Sequence, residues 1–323
     1  TYNYVTNDEA IAAKITSNLG RTDDLTRVYY TVRYDVLKDT TFSRLALFQL
    51  GADYYNTSKS NKLAYGNSEG EIQKDIYNLA TTGNVYIPGV QNLEWTGENR
   101  WAIMYECDIA DKNGVSDKSI VLREWKAKVN GNENAQPYLS SFATVGGTSP
   151  LGSTNWEITL GSVTSLKKGD YIEMVIEMDV IPQSVDYYYG PRSELLTRMM
   201  MGEEKSYKPA LFIANENDVK VDMKKGTLNS RLPVDITVEN DSAEFTITNG
   251  MGYLPITFRG LSTYKGFRLE EKVNGTWTAV DQATHGNDFW QCYYEPDTDT
   301  YNITYNVNRN ADGAVTEFRL VKE

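Results

Sequence analysis

The 323-residue sequence predicts an all-β protein, a large antiparallel β-sandwich followed by a small C-terminal β-sandwich, with few short helices. Three observations predict it. Long segments alternate apolar and polar residues with the period of two that a half-buried strand requires. Helix signals are few. No alternation of strands with helical segments occurs, which excludes a doubly wound nucleotide-binding fold.

Taken in order, the alternation begins at "VYYTVRYDV", where Val28, Tyr30, Val32, Tyr34 and Val36 share one face. Tyr29, Thr31, Arg33 and Asp35 share the other. "EGEIQKDIYNLAT" (69–81) is a weak helix candidate. "WAIMYECDI" places Trp101, Ile103, Tyr105, Cys107 and Ile109 on one face, with Cys107 read as a buried small hydrophobe. "YIEMVIEMDVIP" sets Ile172, Met174, Ile176, Met178 and Val180 against Glu173, Glu177 and Asp179, whose side is expected to be solvated. "SELLTRMMMGEE" predicts one short helix, capped by Ser193. A boundary falls near 222, giving a large sandwich over 1–222 and a compact one over 223–323, where strands shorten and turn signals crowd together. There, Asn274-Gly275 is the dipeptide a type I′ hairpin turn favours, because both central residues need positive φ. Asp312-Gly313 predicts a second hairpin.

Charge and composition narrow the partners. The net charge is −12, from 44 acidic and 32 basic residues. That balance argues against nucleic acid and against an anionic membrane surface, both of which call for clustered Lys and Arg. It leaves room for an acidic polysaccharide or oligosaccharide held in a local basic cleft. No run approaches the 18 apolar residues of a membrane span. Two cysteines without ligand spacing and a single histidine, His285, exclude a zinc site of the usual kind. The 23 tyrosines and 6 tryptophans suit half-buried strands and also suit the apolar faces of sugars.

A serine triad would have to use His285, and no GxSxG elbow presents a serine. No phosphate-binding loop is encoded. "DIADKNGVSD" (108–117) resembles a calcium loop but lacks its alternating spacing, so no cofactor is expected and a structural calcium ion stays unsupported. Glu173 and Glu177 would stand about 13 Å apart along one strand, too far for a glycosidase pair. Polysaccharide β-elimination suits the composition better. A cation or amide neutralises a uronate, and a tyrosine or histidine removes the C5 proton. "DYYYGPRSELL" gathers Tyr187, Tyr188, Tyr189 and Arg192, and "NLEWTGENRWAIMY" gathers Trp95, Arg100 and Trp101. These seven are candidate glycan contacts, with aromatic packing as the alternative for each cluster. In "THGNDFWQ", Asn287 and Asp288 are turn formers, and His285 is read as a loop residue they hold. If that loop meets a glycan instead, His285, Asp288 and Trp290 make the contact, with Trp290 stacking. The catalytic residues stay unassigned.

Two stretches, "DVIPQSVDYYYGPRSELL" and "GMGYLPITFRGLSTYKGFRLEEKVNGTWTAVDQATHGNDFWQ", together resemble the C-terminal part of large bacterial polysaccharide lyases, especially those around the exo-acting rhamnogalacturonan lyases. "RSEL" is also similar to a strand motif of jelly-roll alginate lyases, whose Gln-Ile-His triplet is missing here. The toroid-plus-sandwich resemblance implies an N-terminal helical catalytic domain outside this sequence, with a large and a small β-sandwich after it. It implies that most proton-transfer residues belong to that helical domain. It also implies an extracytoplasmic setting: secreted, periplasmic or cell-surface.

The resulting expectation is the β-sandwich portion of a polysaccharide-degrading enzyme of the lyase type, lining a cleft and not catalytic alone. A free-standing glycan-binding module is the alternative from another class. A self-sufficient sandwich lyase would need Tyr187–Arg192 to be catalytic.

Overall fold

The computed structural model describes residues 1–20, 25–56, 62–77, 86–88, 91–105, 116–145, 151–182, 194–200, 206–280, 291–310 and 313–322. It is 64% strand, so the all-β expectation holds, and the sheets are almost wholly antiparallel. Two compact units emerge, one of Thr1–Leu19 with Leu25–Asn215 and one of Glu216–Glu323.

The first unit starts with β1 (Tyr2–Val5), β2 (Ile11–Gly20), β3 (Thr26–Val36), β4 (Thr40–Thr41) and β5 (Phe48–Asn56). Next come β6 (Lys62–Asn67), β7 (Gly70–Tyr77), β8 (Tyr86–Pro88), β9 (Leu93–Glu94) and β10 (Arg100–Tyr105). Then follow β11 (Ser116–Lys128), β12 (Tyr138–Val145), β13 (Leu151–Thr159), β14 (Ser165–Leu166) and β15 (Tyr171–Pro182), before α1 (Glu194–Met200) and α2 (Lys208–Glu216). An eight-stranded sheet has the order β1-β2-β3-β15-β11-β10-β6-β7 and faces a five-stranded sheet built on β5-β13-β12-β8. The predicted faces of β3 and β15 supply its core: Val32, Val36, Ile172, Met174 and Ile176 pack with Leu50, Leu139, Trp156 and Ile158 of the smaller sheet. Burying such side chains contributes about 1.5–3 kcal/mol each. Trp156 also donates its indole N–H to Ile103 O at 3.0 Å, so the buried ring leaves no polar atom unsatisfied.

The second unit contains β16 (Lys220–Lys225), β17 (Thr227–Arg231), β18 (Val234–Thr237), β19 (Ala243–Thr248) and β20 (Met251–Leu261). It ends with β21 (Phe267–Val273), β22 (Thr276–Ala279), β23 (Gln291–Glu295), β24 (Thr300–Asn310) and β25 (Thr316–Lys322). These form two five-stranded sheets, β16-β19-β25-β21-β22 and β17-β18-β20-β24-β23, with one parallel pair, β18 and β20. Phe245 and Phe318 of one sheet and Phe258 of the other meet at ring-centroid distances of 5.5–5.9 Å.

Several sequence expectations are met and others corrected. Asn274 (φ 50°) and Gly275 (φ 81°) turn the β21–β22 hairpin as a type I′ turn demands. Helix α1 lies where "SELLTRMM" placed it. The 69–81 helix is instead strand β7 at the sheet edge, paired with β6 over Gly70–Tyr77. The Ile72/Ile76 spacing mimicked a helical stripe, but Ile72 is exposed on the strand. Asp312 lies outside the described residues, and the strands flanking the Asp312-Gly313 dipeptide, β24 and β25, belong to different sheets and do not pair as a hairpin. Helix α2 gave no recognised signal, although Pro209 in its first turn is a favourable start.

Candidate functional site: the outer face of the eight-stranded sheet

Cross-strand register builds this face in rungs. On β15 the residues Tyr171, Glu173, Val175, Glu177 and Asp179 stand opposite Asp35, Arg33, Thr31, Tyr29 and Arg27 of β3. On the other side, Lys128, Lys126, Glu124, Val121 and Ser119 of β11 stand opposite the same five. One extra residue makes a bulge between Leu122 and Glu124, and it carries Arg123. Bulges re-aim a side chain, and here the guanidinium reaches Glu177.

One end of the ladder is sealed. Arg27, Glu177 and Asp179 are fully buried, and so is the Arg123 side chain. Glu177 lies 2.9 Å from Arg27 Nε and 2.7 Å from Arg123 Nη2, while Asp179 Oδ1 accepts from Arg27 Nε at 3.4 Å. Arg123 also donates to Ala214 O (2.6 Å), Ile213 O (3.0 Å) and Asn99 Oδ1 (3.1 Å). The two carbonyls belong to the last turn of α2, where a cation completes orphan acceptors and complements the helix dipole. The expectation that Glu177 and Asp179 are solvated is therefore corrected: both are fully buried, Glu177 between the guanidiniums of Arg27 and Arg123 and Asp179 beside Arg27.

Burial pushes the Asp179 carboxyl well above the usual carboxylate range, and the nearby Glu177 charge adds to it, against the opposing pull of Arg27 and Arg123. Asp179 Oδ2 and its cross-strand neighbour Ser119 Oγ make no hydrogen bond. A neutral, protonated Asp179 lowers the cost of that orphan oxygen. Burial disfavours the Arg27 charge, but Tyr29, Glu177 and Asp179 more than offset this and raise its pKa.

The other end of the ladder opens into a groove of about 480 Å³, lined by Lys14, Thr31, Arg33, Glu124, Lys126 and Glu173. Arg33 donates to Asp35 Oδ1 at 2.7 Å through Nη2 and forms a short pair with Glu173. Its guanidinium lies 5.3 Å from the centre of the Tyr171 ring, and the Lys126 ammonium lies 5.6 Å from it. The Asp35 hydrogen bond raises the Arg33 pKa, so this cation is fixed in charge. Its side chain is 42% exposed and that of Lys126 is 68% exposed, so both can meet a ligand.

The sequence candidates fare differently. Trp95 and Trp101 are fully buried. Their indole N–H groups donate to Gly66 O (3.2 Å) and Asn67 O (2.9 Å). Trp101 stacks on Tyr207 at 5.6 Å with ring planes 2° apart. Gly66 makes room for it, since a Cβ there would lie 2.6 Å from the indole. Both tryptophans thus pack inside the first unit. Arg100 is half-buried, with Nε donating to Gly97 O at 2.9 Å, and takes no part in the groove. Tyr187, Tyr188, Tyr189, Arg192, His285, Asp288 and Trp290 lie outside the described residues, as does Cys107.

Sequence reasoning missed Arg27, Arg123, Tyr171 and Arg33 as a group. The available signal was arginine inside otherwise apolar strands, "TRVYY" and "IVLREW", where an unpaired charge would be prohibitive. Among the described residues, no cluster of three or more His, Cys, Asp or Glu is arranged to hold a metal ion. No helix of the described residues is long and apolar enough to cross a membrane. No family model matches the chain, and no curated protein matches it.

Proposed function

We propose that the chain is the β-sandwich portion of an extracytoplasmic polysaccharide-degrading protein of the lyase type, and that its groove contacts an acidic glycan without cleaving it. The observation that carries this reading is the groove itself. Its volume of about 480 Å³ suits a short saccharide segment. Its lining mixes hydroxyl, ammonium, guanidinium and carboxylate groups, the inventory that hydroxyl-rich, uronate-bearing ligands require. The exposed Lys126 and Arg33 offer charge-assisted donors. Contact is favoured over cleavage because Arg33 and Glu173 neutralise each other. β-Elimination needs a cation committed to the uronate and a base within about 3 Å of the C5 proton. The resemblance of two sequence stretches to sandwich-bearing lyases supports the same setting.

The test is electrophoresis of the purified chain through gels containing pectic, alginate, glycosaminoglycan or ulvan-type polymers. Retardation by at least one of them is expected, weakened about tenfold in an Arg33→Ala/Lys126→Ala variant, a loss of about 1.4 kcal/mol. The same mixtures should develop no absorbance from unsaturated uronate ends. Sustained product, abolished by Tyr188→Phe or Tyr189→Phe with the fold intact, would instead make the chain a self-sufficient lyase.

A further inference from the structure

The geometry points to a second saccharide site on the small sandwich, an exposed tyrosine cluster selective for neutral over anionic glycans. It rests on the glycan-handling reading but not on the groove. Tyr294 of β23 stands directly opposite Tyr301 of β24 in the strand register. Their rings lie 5.2 Å apart, and Tyr264, after β20, approaches Tyr301 at 5.5 Å. Tyr264 and Tyr294 remain 40% and 45% exposed. Single exposed apolar residues are ordinary on a surface, but touching rings left half in water form a patch that calls for an occupant.

The chemistry of the patch selects that occupant. All three rings are tyrosines, so the patch offers apolar faces and phenolic hydroxyls together, which matches the C–H and O–H surfaces of a sugar better than a wholly aliphatic ligand. Its position on β23, the edge of the sheet order β17-β18-β20-β24-β23, leaves it open to an extended polymer. The rim decides the charge. Glu295, Asp297 and Asp299 lie in and beside the β23–β24 turn, and Asp299 Oδ1 accepts from Tyr294 Oη at 2.9 Å. Against these three acids stands Lys265, whose ammonium lies 5.0 Å from the centre of the Tyr264 ring. Like charge placed against like charge disfavours a uronate or sulfate here.

The full chain is tested by affinity electrophoresis against neutral polymers (a mixed-linkage β-glucan, a xylan and a galactomannan) and against pectate and alginate. Retardation by at least one neutral polymer is expected. Tyr264→Ala/Tyr294→Ala should weaken it about tenfold, and Tyr264→Phe/Tyr294→Phe should keep most of it. Three results overturn the inference: no neutral polymer binds, the tyrosine-to-alanine variant binds as well as wild type, or the tyrosine patch binds pectate more tightly than neutral chains. Concentration-dependent self-association lost in the alanine variant, with no glycan binding at the patch, overturns it in favour of a protein interface. Anionic binding through the groove with no neutral binding would overturn this site alone and leave the proposed function standing. If no polymer of either kind binds, both fail.

Discussion

The two ends of strand β15 carry the same pattern on the same face and meet opposite fates. Glu173 shares its rung with Arg33 and Lys126, and four residues further along Glu177 contacts Arg27 and Arg123. The first set is 36–68% exposed, whereas the side chains of the second are fully buried. In water, an ion pair like that of Glu173 contributes about 0–1 kcal/mol. In the interior, the pairs around Glu177 barely offset the cost of removing their charges from water, and their loss is expensive only because it strands a partner. An alternating pattern therefore tells which side chains share a face, and the element that later folds over the face tells what those side chains do. The covered end is architecture, and the open end is where a ligand can be met.

This comparison breaks first at Arg123. Arg123→Ala leaves Glu177 with one guanidinium fewer and two α2 carbonyls uncapped, and should cost about 3–5 kcal/mol. Arg33→Ala at the open end should cost within about 1 kcal/mol. Urea unfolding of both variants measures the contrast, and equal losses would mean that the two ends are not energetically distinct.

A smaller effect sharpens the point at Asp179. Its carboxyl is raised in the folded chain from an ordinary value of 3.8. The folded state thus binds the proton more tightly than the unfolded chain. The stability this contributes is complete below pH of about 4 and is lost as pH rises through the elevated folded pKa. Asp179→Asn keeps an oxygen acceptor for Arg27 and stays neutral at every pH. Relative to wild type it should gain stability as pH rises from about 4 through the elevated folded pKa. A variant that instead falls further behind wild type as pH rises would show that Asp179 works as a charged partner.

How far the sequence could be read follows from the same physics. The core faces of β3 and β15, the type I′ turn at Asn274-Gly275 and helix α1 were legible because each is set by local chemistry: side-chain period and positive φ. Strand β7 was misread because Ile72 and Ile76 fit a helical spacing, and pairing with β6 overrode it. The assignment of β24 and β25 to different sheets was hidden because an Asp-Gly dipeptide favours a local bend and does not specify which sheet receives the next strand. Trp95 and Trp101 drew attention as surface platforms, yet their burial depends on Gly66 and on Tyr207, 106 residues beyond Trp101. Glu177 was mistaken for a solvated acid for the same reason: Arg27 is remote in the chain, and Arg123 is brought to it by a bulge.

The most direct measurement is carboxyl labelling of the native chain with a carbodiimide and a small amine, read peptide by peptide in a mass spectrometer. Glu173 and Glu124 should be modified readily, and Glu177 and Asp179, a few residues away from Glu173 on the same strand, should stay unmodified until the chain is unfolded. Comparable labelling of Glu173 and Glu177 in the folded protein would contradict the account, because the strand would then have no covered end and the groove no boundary.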